Sequence, residues 1–122
     1  MVNKLRDFWS WRNWKISYSL TNVPENKSSK NILLIHGFGA SKDHWRYNQD
    51  FIGEENNCFA IDLLGFGESS QPIAQLDYEP SKKNAIKYCF DLWGEQIQSF
   101  CDENIKSSVI LVGNSIGGIV AL

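Results

Sequence analysis

Apolar and polar residues follow one another along the chain in patterns that predict five β-strands. Trp14–Leu20 alternates apolar and polar residues, as a strand buried on one face does. Phe8–Trp11 is its expected hairpin partner, with the turn at Arg12 and Asn13, and the polar residues Thr21–Lys30 predict a loop. Three more strands, covered on both faces, are predicted by unbroken apolar runs at Ile32–Ile35, Cys58–Ile61 and Val109–Val112.

Helices are predicted between and after these strands. Trp45–Ile52 is expected to form a short helix, and Ile119–Leu122 is helix-like. One apolar stripe of a longer helix is formed by Trp93, Ile97, Phe100, Cys101 and Ile105. Buried strands that alternate with helices predict an α/β fold, a parallel sheet covered on both sides, with the first hairpin as its antiparallel edge.

Composition and charge argue against a nucleic-acid-binding protein and against a membrane-spanning one. Of the 122 residues, 43% are hydrophobic and 21% charged, as in ordinary globular domains, and the net charge is −2. That balance argues against nucleic acid as the main partner, because such proteins carry clustered positive charge. No apolar run has the length of a membrane span, and residues 1–14 lack the apolar stretch of a signal peptide. The odd number of cysteines, three, favours a reduced, cytoplasmic location. The cysteines also lack the spacing of a metal site, and we expect no metal or cofactor.

The motif G-x-S-x-G occurs at Gly113–Gly117, between the last predicted strand and a helix. A chain that reverses from strand to helix so quickly forces the apex residue into a strained conformation, and glycines are needed where a Cβ would clash. The apex residue Ser115 would be held out at the carboxyl end of the sheet, and the Ile116 N–H would point to where an oxyanion forms. We therefore predict that Ser115 is a nucleophile; the alternative is a glycine-rich turn with an incidental serine.

A second glycine-rich bend, His36–Gly39, follows an earlier strand. Gly37 would allow the bend to place the backbone N–H of Phe38 opposite that of Ile116, which completes an oxyanion hole. His36 is expected to bind the loop backbone and not to act as the general base.

A third glycine-rich segment begins at Gly65 and looks like a dinucleotide-binding motif. The third glycine of that motif is replaced by Ser70, and Pro72 would break the helix that should follow. A structural loop is the better interpretation, in which Asp62 binds the loop backbone and Gly65 and Gly67 permit a tight path near the site.

Together the three motifs resemble the α/β-hydrolase superfamily, on the segments His36–Ser41, Ile61–Ser69 and Val112–Gly118. Their order and separation match the amino-terminal half of that superfamily. The resemblance implies an eight-stranded, mostly parallel sheet with flanking helices, of which this chain holds the first five strands. Residues 1–122 would then be the amino-terminal part of a single domain whose carboxyl-terminal half is missing. The sequence around the motifs is most similar to that of pheophytinase and chlorophyll-dephytylase-like hydrolases, at His44–Asn48, Leu92–Ile97 and Gly113–Ser115.

The resemblance also implies a reaction. Serine in place of the aspartate of dehalogenases and epoxide hydrolases points to esters, thioesters or amides, or to C–C bond hydrolysis. Phe38, Trp45 and Phe66 would suit a large apolar substrate, although aromatic residues near a pocket are also ordinary packing. The family mechanism needs an acid and a histidine after Ser115, and neither occurs there, so the chain alone is expected to be inactive. The alternative is a non-catalytic protein of this fold that binds a ligand or partner.

Overall fold

The computed structural model describes residues 2–25 and 30–122, and within them it contains five β-strands: β1 (Asn3–Trp11), β2 (Trp14–Asn22), β3 (Asn31–Ile35), β4 (Asn57–Ile61) and β5 (Val109–Gly113). They form one sheet in the order β1-β2-β4-β3-β5. The β1–β2 and β2–β4 pairs are antiparallel, whereas β3 pairs in parallel with both β4 and β5. A parallel centre with an antiparallel hairpin at one edge is the arrangement that the sequence predicts.

The β1–β2 hairpin turns at the two expected residues. Arg12 and Asn13 have positive φ angles of 50° and 72°, which suits the right-handed twist of the strands they join. Trp9 and Trp11 are buried in the core of the sheet. Both strands are longer than predicted, because they pair along their full length from Asn3 to Asn22. Residues 26–29 of the expected loop lie outside the described residues.

Helical segments cross the two faces of the sheet: a 3₁₀ turn (Lys42–Trp45), α1 (Arg46–Gly53), α2 (Phe90–Phe100), a π-helical turn (Cys101–Ile105) and α3 (Ile116–Ala121). The stripe that predicted one helix as far as Ile105 thus continues beyond α2 in π-helical geometry, and it stops at Lys106, whose φ is 60°. Within the described residues, no helix is both long and apolar enough to cross a membrane.

Alternation along β3 separates two apolar clusters. Leu33 and Ile35 belong to the larger cluster, together with Trp93 and Phe100 of α2. Leu34 lies in the smaller one, which the residues of the α1 side cover. A central strand buried on both faces explains its unbroken apolar run.

Within the described residues, β5 is the last strand of the sheet order and pairs with β3 on one side. Val109 and Leu111 pack against the larger cluster, but no described element covers the other face, where Ile110 is 49% and Val112 37% exposed.

Candidate active site

The chain reverses direction at Ser115, between the end of β5 and the start of α3. Ser115 has φ 58° and ψ −121°, a region that residues with a Cβ rarely adopt, and the residue is exposed. The turn is closed by two backbone hydrogen bonds, from Gly117 N to Asn114 O at 2.9 Å and from Gly118 N to Ser115 O at 2.9 Å. Strain of this kind persists where the surroundings fix it, and it is common at functional sites.

Gly113 and Gly117 provide the space for this reversal. A Cβ on Gly113 would lie 2.1 Å from the carbonyl oxygen of Gly117. A Cβ on Gly117 would lie 2.3 Å from the carbonyl oxygen of Ile35 in β3. Since β3, β5 and α3 approach one another at this point, both glycines are required by packing.

The loop that follows β3 lies beside Ser115. A Cβ on Gly37 would be 3.2 Å from the Cβ of Ser115, and Asn114 N donates to Ile35 O at 3.1 Å. The structure therefore brings together the two glycine-rich segments that the sequence analysis singled out. Phe38, the residue after Gly37, is 75% exposed, and Ile116 begins α3, where an amide has no partner within the helix.

His36 is fully buried and both its ring nitrogens bind backbone groups. Leu63 N donates to Nε2 at 3.0 Å, so the ring proton is on Nδ1, which lies 2.7 Å from Gly37 O. Burial lowers the pKa of His36 against the opposing effects of this hydrogen bond and of the Asp62 charge, which keeps the ring neutral. The other histidine, His44, is exposed and its ring packs against Trp45.

Asp62 binds the backbone of two loops. Its Oδ1 accepts from Lys42 N at 2.7 Å, and its Oδ2 accepts from Glu68 N at 2.9 Å. Gly67 has a φ of 56°, and a Cβ on it would lie 2.4 Å from the Asp62 carboxyl group. Gly65 has a φ of 95°, and a Cβ there would meet the Tyr88 ring at 2.7 Å. The tight path of the Gly65–Glu68 segment is therefore set by the Asp62 carboxyl group and the Tyr88 ring, which both pack against the segment.

Sequence reasoning missed two side chains of α2 that hold the same loop. Gln96 accepts from Leu64 N at 2.9 Å and donates to Asp62 O at 3.2 Å. Trp93 Nε1 donates to Leu64 O at 3.0 Å. The sequence did contain a signal for Gln96, namely its position one helical turn from Trp93 beside the apolar stripe. A side-chain amide at a buried position needs hydrogen-bond partners in the protein.

A hollow of about 350 Å³ opens beside the Gly37–Phe38 segment, and its lining is mainly aromatic: Phe38, Gly65, Phe66, Gln71, Pro72, Ala74, Tyr88 and Trp93. The rings of Phe38 and Phe66 meet edge to face, with centroids 5.4 Å apart. Trp45 does not line this hollow; it packs with the smaller cluster around Leu34 on the other face of the sheet. Of the three aromatic residues expected to suit the substrate, Phe38 and Phe66 thus lie together and Trp45 lies apart from them.

Comparisons with known proteins identify the family of this fold. A family model described as alpha/beta hydrolase fold matches residues 30–122. The (lyso)-N-acylphosphatidylethanolamine lipase of Mus musculus is 30% identical over 104 residues, which cover 85% of this chain and 28% of the lipase. Chloroplastic pheophytinase of Arabidopsis thaliana is 28% identical over 117 residues, covering 80% and 24% of the two chains. A 1-acylglycerol-3-phosphate O-acyltransferase of Rattus norvegicus is 30% identical, covering 88% and 27%.

Solved structures share the fold. The crystal structure of a bacterial membrane phospholipase A is 30% identical, with a TM-score of 0.77 over 97% of this chain and 34% of that one. A haloalkane dehalogenase from Bradyrhizobium elkanii, 22% identical, has a TM-score of 0.77 over 98% and 36%. The chain spans between 24% and 28% of the length of the curated relatives named above.

Proposed function

The chain belongs to the α/β-hydrolase fold family, and on that basis we propose that it is the amino-terminal part of a longer serine hydrolase that cleaves a large apolar ester. One observation carries the proposal: Ser115 is exposed at a strained turn, with φ 58°, between β5 and α3. The same turn lies against Gly37, so that a nucleophile and a second glycine-rich loop would face the same carbonyl group.

In the proposed reaction, a histidine from the rest of the protein removes the proton of Ser115 as Oγ attacks the carbonyl carbon. The N–H groups of Phe38 and Ile116 donate to the oxyanion of the tetrahedral intermediate. The histidine then gives its proton to the departing alcohol. Water attacks the acyl group on Ser115 in a second step, which releases the acid and restores the serine.

The lining of the hollow supports an apolar substrate. Four aromatic side chains, those of Phe38, Phe66, Tyr88 and Trp93, surround a space that can take hydrocarbon groups next to the proposed oxyanion hole. The names of two related proteins, an N-acylphosphatidylethanolamine lipase and a membrane phospholipase A, point in the same direction.

Neither histidine of this chain suits the role of the base. His36 is fully buried and uses both ring nitrogens for backbone groups, and His44 packs against Trp45 on the α1 side of the sheet. We therefore expect residues 1–122 alone to give no ester hydrolysis that depends on Ser115, because an unassisted serine is a weak nucleophile.

Acyl transfer is a second candidate, favoured by the similarity to a 1-acylglycerol-3-phosphate O-acyltransferase. The first step would be unchanged, but an acceptor alcohol would replace water in the second. Product analysis with a long-chain p-nitrophenyl ester, with and without an added monoacylglycerol phosphate, separates the two reactions.

A fluorophosphonate probe tests the nucleophile in the longer protein. Ser115 Oγ should attack phosphorus and expel fluoride, and mass spectrometry should find the label on Ser115. Ser115→Ala should abolish labelling and lower turnover by several orders of magnitude. Ser108→Ala, at the opposite end of β5, is the matched control and should leave both unchanged. Persistent labelling of Ser115→Ala would remove Ser115 from the role, and a wild-type protein that takes no label would favour a non-catalytic binding protein.

A further inference from the structure

Lys42 carries a buried ammonium group, which is rare for a lysine. Its side chain is 2% exposed, and Nζ lies 3.1 Å from Oδ2 of the fully buried Asp62 and 2.8 Å from Oε1 of Glu68. Burial opposes the charge, but the hydrogen bond to Glu68 and the charge of Asp62 outweigh it and raise the pKa of Lys42. A buried charge of this kind is costly unless it is paired, so its partners should indicate its role.

The segment that carries the Phe38 amide is held at both ends by the loop after β4, and Lys42 makes the contact at its second end. At the start of the segment, Nε2 of His36 accepts from Leu63 N at 3.0 Å. At its end, Lys42 donates to the two carboxylate oxygens of Asp62, from its backbone N at 2.7 Å and from Nζ at 3.1 Å. Phe38 therefore lies on a short span whose two ends are fixed to consecutive residues of the loop after β4.

The carboxylate that receives Lys42 is itself held in place. Oδ2 of Asp62 also accepts from Glu68 N at 2.9 Å, and a Cβ on Gly67 would lie 2.4 Å from the carboxyl group. Glu68 is linked to β1 as well, since its Oε1 lies 4.0 Å from Nη1 of Arg6. The Lys42 ammonium group is thus paired with a carboxylate that has a backbone hydrogen bond of its own.

We propose that Lys42 is a positioning residue for the oxyanion hole, because its ammonium group fixes the Phe38 segment to Asp62. The proposal rests on the proposed function, in which the Phe38 amide donates to the oxyanion. Displacing that amide should weaken the stabilisation of the transition state more than it weakens the binding of the substrate.

Lys42→Met in the longer enzyme removes the charge and retains the length of the side chain. We expect kcat to fall about 10- to 100-fold while KM stays within about twofold, because one oxyanion donor is misplaced and not removed. Lys42→Arg restores a cation beside Asp62 and should recover most of kcat. Lys4→Met breaks the exposed Lys4–Asp50 pair, which is 3.3 Å long, and is the matched control that should change neither constant.

Fluorophosphonate titration counts the folded, reactive enzyme, so kcat per labelled site separates positioning from stability. A Lys42→Met enzyme with a lower Tm but a wild-type kcat per labelled site would overturn the proposal. If Lys42→Met does not fold, Glu68→Gln decides, since Glu68 is 61% exposed and the substitution removes the negative charge of one partner of the ammonium group. That variant should lower kcat severalfold, and an unchanged kcat would again overturn the proposal.

Hydrogen exchange keeps this test separate from that of the proposed function. The amides of residues 36–42 should exchange faster in Lys42→Met, or in Glu68→Gln if Lys42→Met does not fold, than in the wild type and in Lys4→Met. Unchanged exchange in the variant would mean that Lys42 does not hold the segment. If exchange is faster in the variant but Ser115 takes no label, the proposed hydrolase function is wrong. The result would then show that Lys42 holds the segment, but the proposed role of Lys42 in the oxyanion hole would be wrong as well.

Discussion

The backbone of Gly117 crosses β3 so closely that a Cβ placed on it would lie 2.3 Å from the carbonyl oxygen of Ile35. Gly117→Val should therefore push α3 away from the sheet and move Ser115. In the longer enzyme we expect loss of activity together with a reduced soluble yield, measured by ester hydrolysis and by the soluble fraction after expression. A soluble and fully active Gly117→Val variant would show that the close crossing does not define the turn.

Gly94 is the contrasting glycine, because it lies inside α2 and a Cβ on it would meet nothing within 4 Å. Gly94→Ala should raise the free energy of unfolding by about 0.5–1 kcal/mol, since alanine restricts the unfolded chain and favours the helix. Urea denaturation measures this change, and activity should be unaffected. A destabilised Gly94→Ala variant would contradict the open space at this position.

Phe66 lines the hollow and packs against the rings of Phe38, His36 and Trp93. If the hollow holds the apolar group of the substrate, Phe66→Ala should lower kcat/KM for a long-chain ester about tenfold more than for an acetate ester, since about 1.4 kcal/mol of apolar contact is lost. Phe51→Ala on the outer face of α1, where Phe51 is 76% exposed, is the control. Equal losses for both esters would place the apolar group elsewhere.

His36 should make stability depend on pH in mildly acidic solution. Its pKa in the folded protein is lowered by burial from the ordinary value of 6.5, so the unfolded chain binds a proton first as the pH falls. Its contribution is fully present above pH 6.5 and is lost as the pH falls from there through the lowered pKa, at up to about 1.4 kcal/mol per pH unit. Thermal unfolding between pH 8 and pH 5 measures this, and His36→Gln should flatten the profile. An equally steep profile in His36→Gln would assign the effect to another group.

Cys58 should be inert in the folded protein. It lies in the smaller apolar cluster, where burial raises the pKa of its thiol to about 12. At pH 8 the reactive thiolate is therefore scarce, and iodoacetamide should modify the half-buried Cys89 well before Cys58. Mass spectrometry after timed labelling gives the order, and in urea both should react at similar rates. Equal rates without urea would contradict the burial of Cys58.

Local signals in the sequence predicted much of the fold. The apolar runs of β3 and β4 report burial directly, and the Arg12–Asn13 turn follows from short-range chemistry. The alternation in Trp14–Leu20 predicted β2, but the expectation that only one face is buried was wrong. Ser17 and Ser19 on the polar face are each 3% exposed, because α1 covers that face and its Gln49 hydrogen-bonds with Ser19. The run Val109–Val112 predicted β5 in the same way, whereas the covering of that strand depends on which elements lie beside it and not on its residues. The start of β1 was missed for a similar reason: its exposed residues are held by pairing with β2 along the whole hairpin.

The candidate site shows the same division. The motifs led to the Ser115 turn and to the Gly37 loop, because glycine spacing reflects the backbone geometry that requires it. Lys42 carried no signal, since a lysine in a polar loop is usually exposed, and its burial arises only when Asp62 and Glu68 meet it across the chain. The separation of Trp45 from Phe38 likewise follows from the side of the sheet on which each residue packs.

The order of the strands also has a consequence for how the chain acquires this structure during synthesis. β3 lies between β4 and β5, yet its pairing with β5 joins residue 31 to residue 109, far apart in sequence. The hairpin and the β3–β4 pair can form early, whereas the last parallel pair has to wait until the segment around Val109–Gly113 has been made. Ser115 follows that segment by two residues, so its strained turn should form after the hairpin and the β3–β4 pair. Until then the outer edge of β3 is open, and a growing chain should need a chaperone most while the stretch between Asp62 and Val109 is being translated.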